Sequence, residues 1–91
     1  MVFAMTVNNA NHAVALAADD AVILARLRAD VASGRVRQVR ERARLSQPEI
    51  AQAIGTSATA VSQWEAGRRL PRGPAALRYA ALLAELDKAS G

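Results

Sequence analysis

At 91 residues the chain suits one domain with one core and is too short for a catalytic domain beside a separate recognition domain. Apolar residues make up 52%, much of it alanine, and Phe3, Trp64 and Tyr79 are the only aromatics, so the core falls to Leu, Ile, Val and Ala and helices are favoured over strands. The formal charge of +4 gathers between Ser33 and Ala80, where nine arginines meet three acids, and with no cysteine and His12 as the one imidazole, disulfides, thiolate metal sites and zinc fingers are excluded.

Residues 1–18 carry Ala, Asn and Val without caps or periodicity and are expected to form a poorly ordered arm in which His12 is inert. Asp19 and Asp20 stand where an N-cap and a first-turn acid would. The four-residue spacing of Ile23, Leu27 and Val31 predicts an extra N-terminal helix over about 20–32, within a segment 19–33, with those three side chains on its apolar face. Ser33-Gly34 breaks it. A second helix is expected over about 35–44, with Val36 and Val39 apolar amid arginines.

Ser46-Gln47-Pro48-Glu49 is the strongest local signal, because Ser46 can cap, Glu49 completes an S-x-x-E capping box and Pro48 is tolerated in a first turn. It opens a helix over 47–54 that buries Ile50, Ala51 and Ile54, with Gly55 where a left-handed residue is wanted. Ser57 then caps a helix over 57–66, closed by Gly67. Two short helices joined by a turn of roughly three or four residues containing Gly make a helix-turn-helix pattern. A last helix over about 74–86 is expected to carry Leu77, Ala80, Ala81, Leu83 and Ala84 inward. The reading is all-α, five helices, with no metal and no cofactor.

The run L-S-Q-P-E-I-A-Q-A-I-G-T-S-A-T-A-V-S-Q-W-E-A-G-R-R-L-P resembles the Cro and repressor-type (xenobiotic-response-element-like) helix-turn-helix DNA-binding domains of phages and bacterial regulators. It carries S-Q-x-E-[LI]-A, the turn glycine, S-x-x-x-[VI]-S and the W-E-x-G-x-R-x-P exit in order, over about 35–86. The resemblance implies a lambda-repressor-like domain over 34–87 and a sequence-specific transcriptional regulator, a repressor above all, that binds double-stranded DNA. It also implies a homodimer on a palindromic operator, with half-sites about one helical turn apart.

On a helical wheel, Ser57, Val61 and Trp64 share the packed face, with Ile50, Ile54 and Leu77 completing the expected core. Ala58, Thr59, Ser62 and Gln63 are left to read base edges; Gln63 can pair with adenine and Ala58 can meet a thymine methyl. The rival account of these four is an ordinary solvated face. Gln47, matching the family's phosphate-contacting glutamine, is expected to bind backbone phosphate together with the amides that start its helix, and Ser57, Arg68, Arg69 and Arg72 are assigned to phosphate as well. Arg40 and Glu65 match a pair that in relatives forms a structural ion pair, and Trp64 is read as core.

No catalytic constellation, glycine-rich phosphate loop or charged leader is present, and no apolar run reaches the roughly 18 residues of a membrane span. A cytoplasmic, nucleoid-associated protein and no enzyme are expected. The rival function is a protein-interaction module or antitoxin that keeps the fold and binds a protein through residues 1–33. Dimerisation has two candidate surfaces, the N-terminal helix, which is favoured, and the C-terminal helix. Packing of the N-terminal helix on its own domain is the alternative.

Overall fold

The computed structural model describes residues 16–90; most of the arm expected over 1–18, His12 included, lies outside them. Five helices follow one another without a strand among the described residues: α1 (Ala18–Ser33), α2 (Arg35–Arg42), α3 (Gln47–Ile54), α4 (Ala58–Glu65) and α5 (Gly73–Ser90). α3 and α4 pack closely on each other, α1 lies against α2 and α5, and α5 backs α3.

Local chemistry sets most of the boundaries. α1 starts with Ala17 in the capping position, which makes no side-chain bond, so Asp19 is not the cap that its place ahead of the apolar run suggests. Both acids lie instead in the first turn, where a negative charge complements the helix dipole. Gly34, at φ 85°, ends α1 and starts α2, a left-handed hinge that any side chain would strain. α2 stops at Arg42, two residues short of the expected end, because Arg44 turns left-handed at φ 61° and its N–H bonds the Glu41 carbonyl. At α3 the capping box is complete: Glu49 N–H donates to Ser46 Oγ at 3.1 Å and Ser46 N–H donates to Glu49 Oε1 at 2.8 Å. The bond from the Ser46 N–H, followed by the Ser46 hydroxyl beside it, holds the Glu49 carboxyl below the ordinary carboxylate value.

The core draws on every helix, through Leu24 and Leu27, Val36 and Val39, Ile50, Ala51 and Ile54, Val61 and Trp64, and Ala76, Tyr79 and Leu83. Each large apolar side chain buried this way contributes about 1.5–3 kcal/mol against the entropy of ordering the chain. Two faces differ from the sequence expectation. In α1 Leu24 and Leu27 point inward while Ile23 is 39% exposed and Val31 is only partly buried. In α5 the buried set is Ala76, Tyr79 and Leu83; Leu77 and Ala80 are half-buried and Ala81 and Ala84 are exposed. Apolar residues surround α5, so tertiary contact with Trp64 decides which side turns in: the Tyr79 and Trp64 rings stack with centroids 6.2 Å apart.

Long arginines tie the layers together. Arg28 Nε donates to the Pro71 carbonyl at 3.0 Å, joining α1 to the segment after α4, and Arg78 Nε donates to the Ile54 carbonyl at 2.8 Å, closing the end of α3. Gly55, at φ 78°, leaves room for that guanidinium: a Cβ there would stand 3.1 Å from Arg78 Nη2. Arg35 and Asp87 pair at 2.6 Å between α2 and α5. No helix among the described residues is long and apolar enough to cross a membrane.

Candidate nucleic-acid interface

The turn between α3 and α4 is residues 55–57, and Ser57 closes it by accepting the Ala60 N–H on Oγ at 3.0 Å. One side of α4 is spent on packing: Val61 and Trp64 are buried, and Ala58 and Ala60 press partly against the core. Thr59 and Ser62 stand exposed on the open side, with Gln63 half-exposed beside them.

The far end of α4 is held by a buried carboxylate. Arg40 grips Glu65 with two bonds, Nε to Oε2 at 2.6 Å and Nη2 to Oε1 at 2.9 Å, and their side chains are only 9% and 3% exposed. Gln47 Nε2 donates to Glu65 Oε1 at 3.0 Å and Tyr79 Oη donates to Oε2 at 3.0 Å. Burial pushes the Glu65 carboxyl up, but the bonds from Arg40 and Gln47 and the Arg40 charge outweigh it and leave it below the ordinary carboxylate value. The same contact raises Arg40 through its bond to Glu65, and burial followed by the Glu65 charge drives the Tyr79 phenol upward. Arg40 also donates from Nη1 to the Leu45 carbonyl at 2.8 Å, so the cluster joins α2, the start of α3, the end of α4 and α5.

Two helices at a tight turn, the second exposing a polar strip, therefore stand on a rigid base. The family model described as a helix-turn-helix domain matches residues 32–88, more than half of the chain. The chain belongs to the helix-turn-helix domain family. No curated protein and no solved structure matches it. α1 lies almost wholly ahead of the matched residues.

Within this helix-turn-helix domain, a DNA-binding fold, the expected contact residues fall into unequal groups. Thr59, Ser62 and Gln63 share the open strip of α4, whereas Ala58 keeps only part of its surface. Ser57 accepts from an amide, which leaves its own hydroxyl proton to donate outward. Arg68, Arg69 and Arg72 are all exposed just beyond α4, and Arg69 Nη1 reaches Gln63 Oε1 at 3.3 Å. The start of α3 offers fewer amides than its helical geometry suggests: Pro48 has no N–H and Ser46 holds that of Glu49, leaving Gln47's own.

Tyr79 and the bond from Gln47 to Glu65 are what the sequence reading missed. Tyr79 carried a usable signal, since it lies three residues after Ala76 and four before Leu83, on one helical face. Nothing in the linear pattern marks the Gln47 bond, which depends on α3 and α4 meeting in space. Among the described residues no group of acids or imidazoles is placed to hold a metal ion.

Proposed function

We propose that this chain is a sequence-specific transcriptional regulator, in effect a repressor of the Cro type, that lays α4 in the DNA major groove. The observation that carries the reading is the strip of exposed Thr59 and Ser62 and half-exposed Gln63, flanked by exposed Arg68, Arg69 and Arg72, on a helix fixed from behind. A major groove admits one helix, and side chains near its N-terminal end reach base edges. Ala58, Thr59, Ser62 and Gln63 read bases, with Gln63 the one long hydrogen-bonding side chain among them; Gln47, Ser57 and the three arginines bind phosphate.

With so few large reading side chains, DNA shape and stiffness contribute to site choice alongside direct contacts. One domain reads few base pairs, so we also propose a homodimer on a palindromic site. Leu24 and Leu27 of α1 are committed to the domain's own core, which leaves exposed Val22 and Ile23 for a second copy. Ile23 borders an open groove of about 260 Å³ lined by α1, α2 and α5 alone, away from α3 and α4. Sedimentation of the free chain as a monomer at micromolar concentration, unchanged on binding DNA, would exclude the dimer.

Two substitutions separate the assigned roles. Gln63→Ala is expected to lower discrimination at one base position by roughly 1–3 kcal/mol, while Arg69→Ala weakens all sequences alike and flattens the salt dependence by about one charge. Equal losses on chosen and random duplexes for both variants would remove Gln63 from base reading. Unaltered DNA binding in both, with a protein captured through α1, would favour the interaction-module reading.

A further inference from the structure

We propose that Glu65 is a positioning residue for DNA binding: from inside the protein it fixes the Gln47 amide so that Gln47 presents two N–H donors to the DNA backbone. The inference rests on the DNA-binding reading above and deepens it at one contact.

A helix start ordinarily offers several free amides to an anion. At α3, Pro48 and the capping box leave the Gln47 N–H as the available backbone donor, so the contact depends on what the Gln47 side chain adds. That side chain is an amide with an acceptor oxygen and two N–H donors, and a phosphate oxygen only accepts. Which end faces outward therefore decides whether Gln47 attracts or repels the backbone.

Glu65 makes that choice. Its ionised carboxylate only accepts, and its four bonds, two from Arg40, one from Tyr79 and one from Gln47, come from three different elements and prevent it from turning. Gln47 must bring its nitrogen, not its oxygen, to Glu65 Oε1. One Nε2 hydrogen is thereby used inside and the second is left for an acceptor outside, with the rotamer already ordered before DNA arrives. An arginine alone in this place would do the opposite, because a guanidinium only donates and would draw the Gln47 amide oxygen inward.

The test uses the full chain, with and without a duplex that it binds. In the free protein, one of the two Gln47 Nε2 protons is expected to be protected from solvent exchange, and adding DNA shifts the other. Two protons exchanging at the same rate in the free protein overturn the proposal. Affinity is then measured for Gln47→Ala, Glu65→Gln and the double variant. Glu65→Gln is expected to weaken every duplex by roughly fivefold to tenfold, the scale of one hydrogen bond, with no change in salt slope because no cation is lost. In the Gln47→Ala background the same change is expected to cost less than about twofold. Costs that simply multiply show Glu65 acting through the fold alone and sink this inference while leaving DNA binding intact. Failure of the unaltered chain to bind any duplex sinks the reading beneath it. If Glu65→Gln does not fold, the proton-exchange result on the unaltered chain decides.

Discussion

At its C-terminal end α4 is anchored by Glu65, which accepts four hydrogen bonds inside the protein, and by Trp64 stacked on Tyr79. At its N-terminal end it has one capping bond from Ser57, two half-buried alanines and exposed Thr59, with Ser62 exposed one turn on. A surface that must meet DNA edges cannot fill its own hydrogen bonds beforehand, so its position has to be fixed elsewhere. Here the orientation of the helix is set by buried groups behind it, and substitutions on the open strip are expected to leave the domain folded.

The largest way to break this contrast is at the anchored end. Arg40→Met leaves Glu65 buried without its cation and is expected to cost about 3–5 kcal/mol in chemical denaturation. Acid sharpens the same point. In the folded protein the Glu65 carboxyl lies below its ordinary value of 4.5, so its contribution is full above that pH and is lost as pH falls below it. In Arg40→Met the upward push of burial on the Glu65 carboxyl is no longer outweighed, the carboxyl rises, and stability is expected to increase on mild acidification instead. Denaturation curves at several pH values read the sign directly.

Smaller effects lie at the margins. Arg44 holds φ 61° in the turn that leads to α3, where a side chain is strained and glycine is not. Arg44→Gly is therefore expected to raise stability by about 0.5–1 kcal/mol, and a loss of that size would show that the Arg44 side chain supports the turn. At the open strip, Ser62→Ala is expected to stay within about 0.5 kcal/mol in stability while changing which duplex is preferred. A large destabilisation there would mean that the two ends are not separate in function.

The parts of this fold that were legible in the sequence are those fixed by neighbouring residues. Ser46 and Glu49 bond each other across one turn, Gly55 ends α3 left-handed and Ser57 caps α4, all within reach of local chemistry. The inward faces of α1 and α5 were not legible. Leu24 displaces Ile23, and Tyr79 displaces Leu77, because both helices are apolar on several sides and their spacing alone fits more than one face. What selects the face is contact with residues far along the chain, such as Trp64 for Tyr79 and Pro71 for Arg28. The candidate site divides in the same way. An exposed strip follows from helical period, and the loss of two amides at the start of α3 follows from Pro48 and the capping box, whereas the capture of Gln47 by Glu65 arises only when the helices are assembled.

The central claim is that α4 reads sequence in double-stranded DNA. Its most direct test is selection of bound duplexes from a random pool, followed by titration of the winner and of random DNA at about 150 mM salt. The account predicts a palindromic winner bound at least about a thousandfold more tightly than random duplex. No enrichment, with every duplex bound equally and only through salt-sensitive contacts, would contradict it.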